Sequence, residues 1–339
     1  MRAGRNRDHS SEAQNATLRT RAGSAHRLNP LSAIYAAGVT GKNRLYDAGV
    51  LKAQRLSASV ISVGNLSVGG SGKTPFVILL GKLLQQRGIP FDVLSRGYGR
   101  KTQGVLEVDP NGSPEQFGDE PLLIARRLNC PVIVGESRYH AGLYAQKETG
   151  ARLHILDDGF QHRALARDFD IVLLTAEDLD DQLLPSGRLR EPLSSLQRAD
   201  AVVMTSDMDF TPPAHTPIWR IRRLVEISNP PKSPVVFCGI ARPHKFIEQL
   251  RAAGVEPVSM KFYRDHHAYN ASDIRELLAL RERSGATGFV TTEKDEINLR
   301  SHTAALGAIS VARVRMDLAE PTAALDTIFR ATGERKPSA

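Results

Sequence analysis

A phosphate-binding loop is the clearest chemical signal in this chain. Ser67 to Thr74 read S-V-G-G-S-G-K-T, between an apolar run at 60–64 and a helical pattern at 75–86. A strand, a glycine-rich turn ending in Gly-Lys-Thr, and a helix form a setting in which backbone N–H groups bind phosphate. Lys73 is expected to reach the β- and γ-phosphates of a nucleotide, and the Thr74 hydroxyl is expected to bind Mg²⁺.

The loop departs from the strict pattern at its first position, where Ser67 stands in place of glycine. The other fixed positions are present, and the strand–loop–helix setting makes a chance glycine-rich turn the weaker interpretation. The predicted nucleotide-binding residues are Ser67, Val68, Gly69, Gly70, Ser71, Gly72, Lys73 and Thr74.

Two acidic pairs follow the loop along the chain. The apolar run at 153–156 leads directly into Asp157 and Asp158, the Walker B pattern that places a carboxylate near Mg²⁺. Asp119 and Glu120 form the second pair, and they could divide the roles of general base and metal ligand. Local sequence favours a plainer role for Asp119, since an Asp shortly before Pro121 suits a helix N-cap.

Other polar motifs are less specific. Arginine loops at 95–100 and 184–192 could bind phosphate or stabilise charge on a transferring phosphoryl group, although solvated basic loops are common. Asp265-His266-His267 could serve acid–base chemistry, but adjacent side chains on a regular helix or strand do not face one site. The T-T-E-K-D run at 291–295 has the wrong spacing for a guanine-reading motif.

The elements that must position these residues alternate between apolar strands and helices. Strand-like runs at 91–94, 131–134, 153–156, 169–174 and 201–204 predict a parallel α/β sheet covered by helices on both faces, as in P-loop NTPases. A smaller α/β lobe follows a linker. The extended runs at 219–227 and 309–316 could pair and connect the two lobes. The predicted organisation is a disordered basic tail at 1–28, a membrane-interfacial helix region at 29–56, a P-loop core at 57–206, a linker with an extended strand at 207–232, the smaller lobe at 233–307, and a return strand with a C-terminal helix at 308–339.

Composition limits the classes of partner. The net charge is +8, yet residues 1–55 carry ten Lys/Arg against three Asp/Glu, so the rest of the chain is nearly neutral. A nucleic-acid partner is therefore not expected. Two cysteines provide neither a disulfide framework nor zinc-ligand spacing. No apolar run approaches the roughly 18 residues needed to cross a bilayer. The segment from Leu31 to Tyr46 fits either an interfacial helix or a helix docked on its own domain.

Together these motifs resemble one family, the tetraacyldisaccharide 4′-kinases of lipid A synthesis. The resemblance extends from about Asn29 to the end of the chain. The matching stretches are N-R-L-Y-D at 43–47, V-G-N-L at 63–66 with the loop and Pro75, S-R-G-Y-G at 95–99, G-D-E-P at 118–121, D-D-G-F-Q-H at 157–162, the arginine loop at 184–192, D-H at 265–266, and T-E-K-D at 292–295.

The resemblance implies specific roles for the candidate residues. It makes Asp119 the general base, oriented by His266, in place of a helix cap. Lys73 and Arg190 would stabilise the transferring phosphoryl group. The implied Mg²⁺-binding residues are Thr74, Glu120, Asp157 and Asp158.

The resemblance also implies the reaction and its setting. A peripheral enzyme on the cytoplasmic face of the inner membrane would use ATP and Mg²⁺ to phosphorylate the 4′-hydroxyl of a tetraacylated disaccharide 1-phosphate, giving lipid IVA. Its partners would be that acylated lipid and an anionic membrane surface, and we expect a monomer. Three alternatives are a P-loop GTPase or metallochaperone-type ATPase, a cytosolic small-molecule kinase or ligase resembling dethiobiotin synthetase, and a membrane-associated regulatory binder.

Overall fold

The computed structural model describes residues 30–213 and 216–333. The basic tail predicted at residues 1–28 lies outside the described residues, as does the end of the chain from residue 334. Within the described part, strands and helices alternate along the sequence as predicted, because each apolar run is long enough to bury a strand and each helical pattern covers it.

Twelve strands are formed by the described residues. In chain order they are β1 Ser59–Asn65, β2 Asp92–Ser95, β3 Leu106–Glu107, β4 Val132–Val134, β5 Leu153–Asp157, β6 Phe169–Leu173, β7 Ala201–Thr205, β8 Ile218–Ile227, β9 Pro234–Cys238, β10 Ser259–Phe262, β11 Gly288–Thr292 and β12 Ile309–Leu318.

The helices cover this sheet. They are α1 Pro30–Asp47, α2 Lys73–Gln86, α3 Pro114–Phe117, α4 Asp119–Leu128, α5 Arg138–Glu148, α6 Ala176–Leu179, α7 Pro243–Ala252, α8 Ala271–Ser284, α9 Glu293–Leu299, α10 Thr303–Leu306 and α11 Pro321–Thr332, with 3₁₀ turns at Leu193–Arg198 and Arg300–His302.

All twelve strands belong to one sheet in the order β10-β9-β11-β12-β8-β7-β6-β1-β5-β2-β4-β3. Most neighbours are parallel, whereas β3–β4 and β8–β12 are antiparallel. The predicted pairing of the extended runs is confirmed: Ala312 to Leu318 of β12 pair with Ile227 to Ile221 of β8. We call the part from β1 to β7 the first lobe and the part from β9 to β11 the second lobe; β8 and β12 join them.

Separate apolar clusters lie in the two lobes. In the first lobe Phe76 of α2 and Leu122 of α4 are fully buried against the central strands. In the second lobe Phe237 and Phe289 pack edge to face, with ring centroids 5.9 Å apart. Each lobe therefore has its own core, and the cleft between them is bordered by the ends of α2, α4 and α9.

Candidate active site

The phosphate-binding loop connects β1 to α2 at the carboxyl edge of the sheet. Its glycines 69, 70 and 72 have φ angles of 70°, 62° and 92°, which residues with a Cβ rarely adopt. Gly72 is the N-cap of α2, so the loop N–H groups and the positive end of the helix face the same space. A Cβ at Gly72 would also lie 2.6 Å from Cε of Met316, but the φ angle of 92° is the stronger reason for glycine at this position.

Two cations converge on one side chain beside this loop. Lys73 Nζ donates to Oδ1 of Asn65 at 2.8 Å, and Arg190 Nη2 donates to the same oxygen at 2.6 Å. Arg190 also donates to both carboxylate oxygens of Asp158, at 2.7 and 2.9 Å. The structure therefore brings Lys73, Arg190 and Asp158 together. The sequence analysis did not single out Asn65 as a site residue. The available indication was its position, a polar amide at the end of an apolar strand, and the structure shows that it is buried.

Asp157 lies at the end of β5, next to β1 in the sheet. Its side chain is only 2% exposed, and Ser95 Oγ donates to its Oδ2 at 3.1 Å. Its Oδ1 has no hydrogen-bond partner within the described residues. Burial, followed by the charges of Glu120 and Asp158, raises the pKa of Asp157 to about 7. The charge of Lys73 acts in the opposite direction but does not outweigh burial and the two acids.

Asp119 and His266 meet across the cleft. His266 Nδ1 lies 2.7 Å from Oδ2 of Asp119, which is 4% exposed. The helix-cap interpretation of Asp119 is wrong, because Gly118 is the N-cap of α4 and Asp119 is its first residue. The next histidine turns away, as expected for adjacent side chains: His267 Nε2 contacts Oδ2 of Asp273 at 2.9 Å.

The electrostatics of this pair favour its charged form. Burial raises the pKa of Asp119, but the hydrogen bond from His266 and the charge of Lys294 outweigh burial and lower it to about 2. The same hydrogen bond raises the pKa of His266 above its usual value. Both shifts favour the ionised carboxylate and the protonated imidazole over their neutral forms.

Helix α9 binds both acids at the start of α4. Lys294 forms an ion pair with Glu120, and Asn298 Nδ2 donates to Oδ2 of Asp119 at 3.3 Å. Lys294 and Asn298 are four residues apart, so they lie on one face of the helix. The T-E-K-D run therefore serves contacts within the protein: its Asp295 accepts hydrogen bonds from Gly239 N and the Tyr269 hydroxyl. Sequence reasoning missed Lys294 and Asn298 as site residues.

Asn298→Leu should raise the pKa of Asp119, because one of the hydrogen bonds that lower it is lost. An NMR titration of the carboxyl carbon would measure this change. Asn111→Leu, at an exposed loop position, is the matched control. An unchanged pKa in Asn298→Leu would show that this bond does not stabilise the carboxylate.

Two cavities meet at the loop. One, of about 740 Å³, has a polar lining that includes Lys73, Arg138, Asp157, Arg190 and His266. The other, of about 220 Å³, lies between the loop and the second lobe and is mostly apolar, with lining residues that include Ile240, Phe246, Val314 and Met316. Lys73, Glu120 and His266 border both, so a group bound at the loop could reach into each.

A phosphate loop, a neighbouring strand-end acid, and an Asp–His pair whose histidine lines the same cleft define a P-loop phosphotransferase. Comparison with known proteins gives the particular family. A family model described as tetraacyldisaccharide-1-P 4′-kinase matches residues 24–332, and this chain belongs to that family.

Individual relatives agree with this assignment. The tetraacyldisaccharide 4′-kinase of Koribacter versatilis is 52% identical over 284 residues, covering 80% of this chain and 88% of the relative. The enzyme of the same name from Syntrophus aciditrophicus is 38% identical over 312 residues, covering 80% and 83%. A crystal structure of "apo" form LpxK from Aquifex aeolicus in complex with ATP matches with a TM-score of 0.74 and 33% identity, covering 89% of this chain and 98% of that one.

Proposed function

We propose that this kinase binds ATP on the Ser67–Thr74 loop and transfers its γ-phosphoryl group to the 4′-hydroxyl of a tetraacyldisaccharide 1-phosphate in lipid A biosynthesis. The observation that carries this proposal is the Asp119–His266 pair, whose histidine lines the same cleft as Lys73. A hydrolase needs room only for water at such a pair, whereas a cleft of about 740 Å³ leaves room for a sugar.

The nucleotide spans both cavities in this proposal. Its phosphates lie against the loop N–H groups and the N-terminus of α2. Its nucleoside enters the apolar cavity beyond Thr74, where Phe246 and Met316 of the second lobe provide nonpolar surface. The ATP complex of the Aquifex aeolicus relative supports ATP as the nucleotide.

The acids near the loop fit a Mg²⁺ ion. Asp157 offers a buried oxygen with no partner among the described residues. Glu120 lines the same cavity as Asp157, and Thr74 lines the adjoining one. Both oxygens of Asp158 already accept hydrogen bonds from Arg190, so Asp158 is the least available of the predicted ligands. When bound, Mg²⁺ would neutralise charge on the β- and γ-phosphates.

Few protein ligands are required for such an ion. No group of three His, Cys, Asp or Glu side chains between residues 30 and 333, residues 214–215 apart, is arranged to hold a metal alone. Phosphate oxygens and water would therefore complete the coordination, as Mg²⁺ prefers.

Asp119 acts as the base in this mechanism. Among the described residues its Oδ1 accepts one hydrogen bond, from Glu120 N at 2.8 Å, and a carboxylate oxygen has a second lone pair for the acceptor hydroxyl. A carboxylate with a pKa of about 2 is a weak base. It suffices because the transition state of phosphoryl transfer is loose, so the hydroxyl can lose its proton late. His266 keeps the carboxylate oriented and ionised.

Lys73 and Arg190 stabilise the phosphoryl group in transfer. Their shared acceptor, Asn65, holds the two cations on the same side of the cleft. Fixed cations in a partly dry site need no reorganisation when charge develops, which is why they favour the transition state. Arg96 and Arg138 line the same cleft, and in this proposal they bind the anionic phosphate of the acceptor.

Helix α1 provides a surface for membrane contact. Its packed positions recur at helical spacing, and its other side exposes Ile34, at 69%, and Leu45 near Lys42 and Arg44. An apolar stripe beside basic side chains suits a helix that lies on an anionic bilayer. In the part of the chain that the structure describes, no helix is long and apolar enough to cross a membrane.

Ile34→Ser should weaken binding to anionic vesicles by several-fold, since it removes exposed apolar surface. Cosedimentation with vesicles of phosphatidylglycerol and phosphatidylethanolamine would measure the change. Leu143→Ser, exposed on α5, is the control. Unchanged vesicle binding by Ile34→Ser would exclude this face as the contact.

The position of the new phosphate tests the proposed reaction. Product formed from ATP and the acceptor should show a ¹H–³¹P correlation between a new phosphomonoester and the proton on carbon 4′. A correlation to the 6′ protons, or a diphosphate at position 1, would overturn the proposal.

A further inference from the structure

The N-terminal helix is tied to the loop that carries Arg190. The inward positions of α1 include Ser32, Tyr35 and Asn43, spaced so that they share one face. All three contact the segment from Leu183 to Glu191, which we call the arginine segment. A helix that only lay on a membrane would not need polar contacts with this segment.

The contacts are distributed along the whole arginine segment. Ser32 Oγ donates to Leu183 O at 3.2 Å and lies 2.8 Å from Ser186 Oγ. The Tyr35 hydroxyl donates to the backbone carbonyl of Arg190 at 3.1 Å. At the far end, Asn43 Nδ2 donates to Oε2 of Glu191 at 2.7 Å.

The contact between Asn43 and Glu191 is held in place by further hydrogen bonds to Glu191. Its side chain is 2% exposed, and both oxygens accept hydrogen bonds from Arg198, at 3.0 and 3.2 Å. Arg163 in turn donates to the carbonyl of Asn43 and to Asp47. Several donors bind this buried carboxylate at once. Asn43 therefore belongs to a hydrogen-bond network that joins α1 to Glu191, Arg198 and Arg163.

The opposite side of the arginine segment is bound to the phosphate loop. Arg190 N donates to Leu66 O at 2.6 Å, and Val68 N donates to Arg188 O at 2.8 Å. The backbone of Arg190 therefore lies between the phosphate loop on one side and α1 on the other. The direction of its guanidinium depends on both.

We propose that α1 is a positioning element of the active site, in which Tyr35 and Asn43 hold the arginine segment so that Arg190 points at the transferring phosphoryl group. This inference rests on the proposed role of Arg190. A cation displaced by about 1 Å from a developing charge can cost up to a hundredfold in rate, so loosening the segment should reduce kcat. Phosphate-loop residues remain in place, so ATP binding should not change.

Tyr35→Phe and Asn43→Leu test the inference in mixed detergent micelles. Each variant should lower kcat about tenfold, with the KM for ATP within about twofold of wild type. Ala37→Ser, on the outward side of α1, is the matched control and should turn over normally. Tyr35→Phe removes one oxygen and retains the ring, so it provides a variant that folds if Asn43→Leu does not.

A double-mutant cycle separates positioning from general stability. In an Arg190→Ala background, Tyr35→Phe and Asn43→Leu should have no further effect on kcat, because the group they position is gone. The same tenfold loss in both backgrounds would overturn the inference, as would variants that change only the KM for the lipid. Normal turnover by Arg190→Ala alone would instead overturn the proposed role of Arg190, and failure of wild type to phosphorylate the lipid would overturn the proposed function.

Discussion

Asp119→Asn should lower kcat for lipid phosphorylation by roughly 10²–10⁴-fold, the range expected when a positioned base is lost. The amide keeps the size of the side chain and its place at the start of α4, but it cannot take the proton of the acceptor hydroxyl. The KM for ATP should change little, since the phosphate loop is untouched. Steady-state turnover with micellar acceptor and a nucleotide-binding titration would measure the two effects separately.

Asp109→Asn is the matched control, because Asp109 is an exposed acid in a surface loop of the same lobe. It should turn over at the wild-type rate. If Asp119 served only the helix, its replacement would cost about 1 kcal/mol of stability and leave turnover intact. Near-normal kcat for Asp119→Asn would therefore contradict the assignment of the base.

Lys73→Ala should reduce phosphoryl transfer by on the order of 10³-fold or more, because a fixed cation at the developing charge is removed. Asn65 and Asp158 would also lose the ammonium that lies 2.8 and 3.5 Å from their oxygens. Rapid-quench measurement of labelled product would follow the chemical step directly.

Lys82→Ala removes an exposed lysine from the same helix and provides the control. Arg190 remains in Lys73→Ala, bonded to Asn65 and Asp158, so some positive charge stays in the site. Turnover within a few-fold of wild type would show that nucleotide phosphate is bound elsewhere.

Much of the fold could be predicted because it depends on local patterns. Continuous apolar runs gave strands, and helical runs between them required a parallel sheet covered on both faces. Leu106–Glu107 and Ser259–Phe262 were not anticipated, since a two-residue strand and a half-exposed run of mixed polarity have no clear period. The pairing of β8 with β12 was predicted, but the joining of both lobes in one sheet also depends on the pairing of β8 with β7, which local sequence does not specify.

The candidate site also contains residues that local sequence reveals and residues that only distant contacts reveal. The phosphate loop can be recognised in the sequence because the groups expected to bind phosphate, its backbone N–H groups and Lys73, all belong to the loop itself. The proposed role of Asp119 depends on its contact with His266, 147 positions away. Local sequence therefore favoured a helix cap, which Gly118 provides instead. Asn65 and Asn298 are ordinary polar residues until folding places them against Lys73 and Asp119.

Partition of label from ATP carrying a labelled γ-phosphate tests the central claim most directly. Purified protein would be mixed with labelled MgATP in detergent, with and without the tetraacyldisaccharide 1-phosphate. Because the cleft has room for an acceptor sugar, we expect the label to pass to the lipid. Little free phosphate should form when the acceptor is omitted. Label released mainly as free phosphate, whether or not acceptor is present, would identify a nucleotide hydrolase and contradict the assignment of this cleft to an acceptor sugar.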